Sequence, residues 1–310
     1  MSARNILIVN PKAGKHDSTE FISASAAKLL SGIPYEIRIT EYPGHAAEIA
    51  RSLCGDECRI YACGGDGTLN EVVNGVFRGG CPGHVSVGCV PIGSGNDFIK
   101  SFENISPETF LDLSRQAAGD IRKIDLLQVE DRVSINILSA GYDAAVCDNL
   151  ERFKRLPLVN GSAAYNMSVV YCLAKYMKNK YVLYADGEEV ADEKRDYLFA
   201  IAANGRYYGG GMIPTPKQDR LNKEHTVSVM VYYGSGKIRS LAVFPSIFKG
   251  EHVNQKEMVE VLSGKEITVR FDSPAALQVD GETIIGVTEY SVRTGKAAEK
   301  LNPAEAFVCA

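Results

Sequence analysis

Residues 63–75 read Cys-Gly-Gly-Asp-Gly-Thr-Leu-Asn-Glu-Val-Val-Asn-Gly. The apolar run Arg59–Cys63 that leads into this stretch predicts a short buried strand, and Thr68–Phe77 has the apolar spacing of a helix. Gly64, Gly65, Asp66, Gly67 and Thr68 therefore form a strand-to-helix turn. Glycines let backbone N–H groups come close to a ligand, and a helix start adds unpaired donors and partial positive charge. Such a turn suits phosphate. An aspartate in it would repel phosphate unless it holds Mg²⁺ or takes a proton from an attacking hydroxyl; the plain alternative is an N-terminal helix cap.

Working outward, the first third of the chain alternates. Strands are predicted over Ile6–Asn10, Tyr35–Ile39, Arg59–Cys63 and Val85–Val90. Helices are predicted over Ser18–Leu30, Ala46–Leu53, Thr68–Phe77, Asp97–Phe102 and Pro107–Ala117. This β-α-β-α-β-α-β order is that of a parallel sheet with helices on its faces, with a ligand crevice at the carboxyl ends of the strands. Two more small-residue loops fall at that edge, Asn10-Pro-Lys-Ala-Gly14 and Pro91-Ile-Gly-Ser-Gly-Asn-Asp97. None matches a P-loop or dinucleotide fingerprint, so the spacing implies a nucleotide phosphate site of another design.

After about Ile124 strand patterns follow one another: Leu126–Glu130, Val133–Leu138, Tyr181–Ala185, Tyr197–Ala202, Val227–Tyr232, Glu266–Phe271, Ala276–Val279 and Glu289–Arg293. Helical patterns interrupt them over Ala163–Lys178 and Lys237–Lys249. The expected organisation is an α/β domain over 1–127 and a mainly antiparallel β-sandwich domain over 128–297, with the tail 298–310 returning to the first.

The three loops together carry a resemblance. Asn10-Pro-x-Ala-Gly14, Gly64-Gly-Asp-Gly-Thr68-x-x-Glu71 and Pro91-x-Gly-Ser-Gly-Asn-Asp97-Phe resemble the diacylglycerol kinase catalytic-domain family, which includes soluble bacterial lipid kinases and the sphingosine and ceramide kinases. Arg122-x-x-Asp125, Asn136-x-x-Ser139-x-Gly141-x-Asp143, Asn204-Gly, Gly209-Gly-Gly211, Pro214 and Val279-Asp280-Gly-Glu282 extend the likeness over nearly the whole chain. The resemblance implies an active site in the cleft between the domains, and ATP and Mg²⁺ as cofactors. It implies ATP contacts from Asn10, Pro11, Lys12, Ala13, Gly14, Thr40, Gly64, Gly65, Gly67, Thr68, Glu71, Ser94 and Asn96. It implies an acid cluster of Asp66, Asp97, Asp125 and Glu282, with either Asp66 or Glu282 as the base, and Asp143 near the substrate hydroxyl. Asp280 reads as a turn residue beside Gly281.

One departure stands out. Where the family has an Asp-Gly-Leu step around a structural magnesium, this chain has Asp219-Arg220-Leu221. Asp219 and Leu221 still align as metal ligands, while Arg220 would strain a step that needs a glycine conformation.

A net charge of -4 excludes a general nucleic-acid footprint. No apolar run nears the roughly 20 residues of a membrane span, and no signal peptide is indicated. Cytoplasmic placement with peripheral membrane contact is expected, the partner being a lipid at a membrane surface, with a homodimer left open. Basic and apolar residues mix at Arg152–Leu156 and Lys175–Tyr181 and would suit anionic lipid or simply solvent. Tyr207 and Tyr208 would line a lipid entrance or pack at a hairpin, and His45 would cap a helix or adjoin the nucleotide. Cysteines such as Cys63, Cys89 and Cys172 read as small buried hydrophobes in a reducing setting. The expected activity is phosphoryl transfer from ATP to a lipid hydroxyl, of diacylglycerol or a related amphiphile. The alternatives are a non-catalytic lipid-binding or regulatory protein on the same fold, and an NAD kinase, which shares Gly-Gly-Asp-Gly-Thr but not the block at 91–97.

Overall fold

The computed structural model describes residues 4–14, 17–55, 57–80, 85–102, 104–119, 121–157, 159, 180–191, 196–233, 236–293 and 305–309, with isolated positions between 164 and 175. The first half is built on β1 (Arg4–Val9), α1 (Thr19–Leu29), β2 (Tyr35–Ile39), α2 (His45–Ser52), β3 (Cys58–Gly64), α3 (Asp66–Arg78) and β4 (Val85–Pro91). Short helices α4 (Asp97–Lys100), α5 (Pro107–Leu111) and α6 (Leu113–Ala118) precede β5 (Ile121–Asp125). Strands β2, β1, β3 and β4 pair in parallel in that order. Successive strand residues face opposite sides. Ile6, Ile8, Ile60 and Ala62 thus pack under α2 and α3, while Leu7, Val9, Tyr61 and Cys63 pack under α1 and α6. Burial on both faces explains why these strands read as unbroken apolar runs.

The second half is antiparallel. It runs β6 (Leu127–Val129), β7 (Arg132–Ser134), β8 (Ile137–Gly141), α7 (Tyr142–Lys154), β9 (Tyr181–Ala185), β10 (Glu188–Ala191), β11 (Tyr197–Ala203), β12 (Val227–Tyr233), α8 (Lys237–Val243), β13 (Val259–Gly264), β14 (Glu266–Val279) and β15 (Glu282–Arg293). Their order is β13-β12-β11-β8-β14-β15-β6-β7, with β9 joining β14 and β10. Leu138, Ala140, Ala200, Ala202, Val229 and Leu277 fill one face of this sheet. Ile137, Phe199, Ile201, Met230 and Tyr232 fill the other, beneath α7. The α/β half followed by a mainly antiparallel β half is the fold class the sequence predicts.

Several details differ from the sequence reading. The strand predicted over Val133–Leu138 is broken at Ile135 and Asn136, whose N–H groups turn to the Asp280 carboxylate instead of a neighbouring strand. Glu266–Phe271 and Ala276–Val279, predicted as two strands, are one long β14. Helix α7 and strands β5, β10 and β13 were not anticipated, because each is short or polar on one side. The last strand, β16 (Glu305–Cys309), enters the first sheet, parallel to β4 at Val308–Val87 and antiparallel to β5. Most of the helix predicted over Ala163–Lys178 lies outside the described residues, as do Tyr176, Met177 and Lys178 of the basic–apolar stretch. Cys63, Cys89 and Cys172 are buried as expected, and burial pushes the Cys63 and Cys89 thiols up. Cys54, at the end of α2, departs from that pattern and is disulfide-bonded.

Candidate active site

All four parallel strands end at one edge, and the loops after them line a cleft of about 720 Å³ between the two halves. Asn10, Lys12, Ala13 and Gly14 come from the loop after β1, Thr40 from the end of β2, Gly65 to Thr68 from the turn after β3, and Ser94 from the loop after β4. These loops touch. A Cβ on Gly93 would overlap the Cα of Gly65, so only glycine at 93 lets the third- and fourth-strand loops come this close. The Asn10 amide donates to the Thr68 hydroxyl at 3.1 Å, tying the first loop to the third. Glu71 accepts from the Ala46 N–H at 3.2 Å and joins α3 to the start of α2.

Of the residues expected to meet a nucleotide, Asn10, Lys12, Ala13, Gly14, Thr40, Gly65, Gly67, Thr68, Glu71 and Ser94 line the cleft. Pro11, Gly64 and Asn96 stand behind it. Asn96 adopts φ 50° and its amide donates to the Pro91 and Gly93 carbonyls at 3.2 and 2.8 Å, which fixes the loop's shape. His45 accepts from the Glu41 N–H at 3.1 Å and stacks on Tyr42 with ring centroids 4.5 Å apart, so it shapes the turn before α2. Tyr208 lines the cleft at the far wall, with Gly209 and Gly210.

The four expected acids separate. Asp66 and Asp97 both line the cleft. Asp66 accepts the Phe98 N–H at 2.9 Å and the Asp97 N–H at 3.0 Å, one on each oxygen, and so also caps α4. Each Asp66 oxygen keeps one acceptor position. Asp97 is 4% exposed. It pairs with Lys100 at 2.7 Å and accepts the Gly210 N–H at 2.7 Å from the opposite half. Asp125 does not line the cleft; its carboxylate meets His225 Nδ1 at 2.7 Å. Glu282 also lies away from the cleft, exposed and paired with Arg132 at 3.1 Å.

The acid that does reach the cleft from the second half is Asp280, two residues earlier. Asp280 and Gly281 have φ values of 46° and 98°, the turn conformation the sequence suggests. The turn delivers the carboxylate to five donors. Oδ1 accepts from Ser134 Oγ at 2.9 Å and from the N–H groups of Asn136 and Ile137 at 3.0 and 2.9 Å. Oδ2 accepts from the Ile135 N–H and the Asn70 amide, each at 2.6 Å. Burial pushes this carboxyl up, and those donors pull it back. The three backbone N–H groups and the Asn70 amide favour the ionised form, and burial opposes it. With its acceptor positions filled, Asp280 joins the halves and has no capacity left to take a proton from a substrate. Sequence reasoning missed its place because the donors are 143 to 210 residues away.

Asp143, expected near the substrate hydroxyl, sits in the first turn of α7 one turn before Cys147, which lines the cleft. The residue is half-buried, bonded to Ser139 through Oδ1, and its enclosed Oδ2 has no partner. Burial pushes its carboxyl up to about 6.

Two metal sites follow from the family resemblance. Mg²⁺ carried on nucleotide phosphates needs one or two protein carboxylates, and Asp66 with Asp97 satisfy that. The structural site expected at Asp219 and Leu221 does not fit. Asp219 Oδ1 accepts the Leu221 N–H at 2.9 Å and so shapes the turn, and Arg220 fills the interior beside it at 2% exposure. Among the described residues no group of three His, Cys, Asp or Glu side chains could hold a metal ion.

Comparison with known proteins agrees with this architecture. The family described as "Diacylglycerol kinase catalytic domain" matches residues 4–129, and that described as "YegS C-terminal NAD kinase beta sandwich-like domain" matches 136–296. A Bacillus subtilis protein named "Putative lipid kinase YtlR" is 25% identical over 91% of this chain and 94% of its own. A Mycobacterium tuberculosis diacylglycerol kinase is 25% identical over 89% of this chain and 87% of its own. The crystal structure of a diacylglycerol kinase from Bacillus anthracis covers 99% of this chain and 96% of that one, with a TM-score of 0.65 at 15% identity. Two family matches that meet at the cleft, on a fold shared from end to end, establish that this chain belongs to the diacylglycerol kinase catalytic-domain family with its YegS-type C-terminal sandwich.

Proposed function

We propose that the protein transfers the γ-phosphoryl group of ATP to the hydroxyl of a lipid, diacylglycerol or a related amphiphile, in the cleft between its halves. The observation that carries this reading is the position of Asp66, an acid with spare acceptor positions where three glycine-rich loops meet. Phosphoryl transfer relies on positioning and electrostatics more than on covalent chemistry. In this reading the Asn10–Gly14, Gly64–Thr68 and Gly93–Asn96 loops cradle the phosphates with backbone N–H groups. Asp66 and Asp97 would hold Mg²⁺, which supplies screening of the phosphate charge when bound. Asp66 is the base that takes the proton of the attacking hydroxyl, while Lys100 and the Gly210 N–H keep Asp97 oriented. Tyr208 and the Gly209–Gly211 turn form the wall the lipid headgroup would meet. Among the described residues no helix is long and apolar enough to cross a membrane, which accords with a protein that meets its lipid at a surface.

The test is phosphate transfer from Mg-ATP into a micellar panel of diacylglycerol, monoacylglycerol, sphingosine, ceramide and undecaprenol. Labelled phosphate in one lipid identifies the substrate. Nucleotide binding with no transfer to any lipid would contradict the reading and favour a regulatory protein on the same fold. Transfer to NAD instead would favour the NAD kinase alternative.

A further inference from the structure

We propose that Arg220 is an internal cation that does the work of a structural metal in this chain, fixing the second half against the cleft without a bound ion. Arg220 is the largest fully buried side chain among the described residues. Its guanidinium donates to the Ile135 carbonyl and, at 2.7 Å, to Asn136 Oδ1. On its other side it lies over the Phe98 ring, 4.4 Å from the centroid. Phe98 belongs to α4 in the first half, and its N–H is one of the two that hold Asp66.

The segment 135–137 is gripped from both sides. The Asp280 carboxylate accepts its three N–H groups, while Arg220 donates to the Ile135 carbonyl and to Asn136 Oδ1. The Ile135 N–H meets the anion and its carbonyl meets the cation, so the backbone polar groups favour both charges. Each charge also reaches the first half: Asp280 through Asn70 of α3, Arg220 through Phe98 of α4. A bound divalent ion commonly provides such a junction, but here the positive charge is covalently attached. An arginine keeps its charge in a protein interior, and its guanidinium is held there by the Ile135 carbonyl, Asn136 Oδ1 and the Phe98 ring.

The space is made for arginine. A Cβ on Gly205 would overlap Arg220 Nη2, so the backbone at 205 gives way to the guanidinium. An oxygen-seeking cation finds no equivalent place here. Asp219 belongs to no group of three His, Cys, Asp or Glu side chains among the described residues, and a divalent ion beside a buried guanidinium would be repelled. Arg220 is thus a positioning residue. It acts on the cleft through Phe98 and Asp66, and it would touch neither nucleotide nor lipid.

The inference does not depend on the reaction and is tested without substrate. The wild-type protein, free of nucleotide and lipid, is melted with excess EDTA and with Mg²⁺ or Ca²⁺, and its metal content is measured. The two melting temperatures should agree within about 1 °C, with no stoichiometric divalent metal in the chain. A fall of several degrees on chelation would overturn the proposal. Arg220→Met keeps much of the volume and removes the charge; it should melt on the order of 10 °C lower or fail to fold. Arg220→Lys, which restores the charge without the planar fork, should recover part of that loss. An Arg220→Met protein that melts with the wild type would also overturn it. If that variant does not fold, the chelation result on the wild type decides.

Discussion

Replacing Asp280 by asparagine probes the joint between the two halves at a single atom. The carboxylate accepts five hydrogen bonds, three on Oδ1 and two on Oδ2. An amide has one oxygen. Placed at the Oδ1 position, it keeps Ser134, Asn136 and Ile137, and its NH₂ group then faces the Ile135 N–H and the Asn70 amide, both donors. Asn70 cannot easily turn its own oxygen inward, because that oxygen accepts from Asn74 at 3.0 Å. Two charge-assisted bonds are lost, each worth about 1.5–3 kcal/mol, and the buried Arg220 loses a counter-charge. The cost is about 3–6 kcal/mol. At about 2–4 °C per kcal/mol for a protein of this size, the melting temperature should fall by on the order of 10 °C. Circular dichroism melts at pH 7 measure it directly. A fall of less than about 2 °C would refute the reasoning, because it would mean that the carboxylate is not the ionised centre of the joint.

Two further predictions concern the nucleotide loops and a buried acid. Gly93→Ala forces the third- and fourth-strand loops apart at Gly65; titration with a fluorescent ATP analogue should show about tenfold or greater weakening with unchanged far-ultraviolet circular dichroism, and an unchanged Kd would contradict the close-approach argument. Asp143 has its folded carboxyl raised to about 6 by burial, against about 3.9 in an unfolded chain. The native state therefore binds the proton more tightly, and stability is full below about pH 4 and declines as pH rises through about 6. Asp143→Asn should match the wild type near pH 4 and exceed it by about 2–3 kcal/mol at pH 7.5. Equal differences in urea midpoint at both pH values would contradict the burial argument.

The first half was legible in the sequence because its signals are local. Strand, glycine loop and helix follow each other within about 15 residues three times over, and the parallel order places those loops at one edge. Asp66 and Asp97 were legible for the same reason. What could not be read depends on distant partners. The break at Ile135 and Asn136 is imposed by Asp280, and nothing in an apolar run marks where its N–H groups will turn away. Glu282 and Asp280 are two residues apart in one motif, and only the turn geometry decides which carboxylate enters the cleft. In the sequence Arg220 reads only as a residue that would strain a glycine step. Its burial depends on Gly205, Phe98 and the 135–137 segment, which the chain assembles from separate places. The apolar pattern of the tail indicates burial but not its neighbours, and a place between β4 and β5 is set by which sheet edge is open.

The central claim is that Asp66, and not Glu282, is the acid that works on the substrate. The direct measurement is transfer of labelled γ-phosphate from ATP to the lipid substrate by the wild type, Asp66→Asn and Glu282→Gln, each checked for an unchanged melt. The account predicts a fall of about a hundredfold or more for Asp66→Asn. It predicts a change within about threefold for Glu282→Gln, whose ion pair with Arg132 is exposed. The reverse order, with Glu282→Gln inactive and Asp66→Asn near wild type, would contradict it.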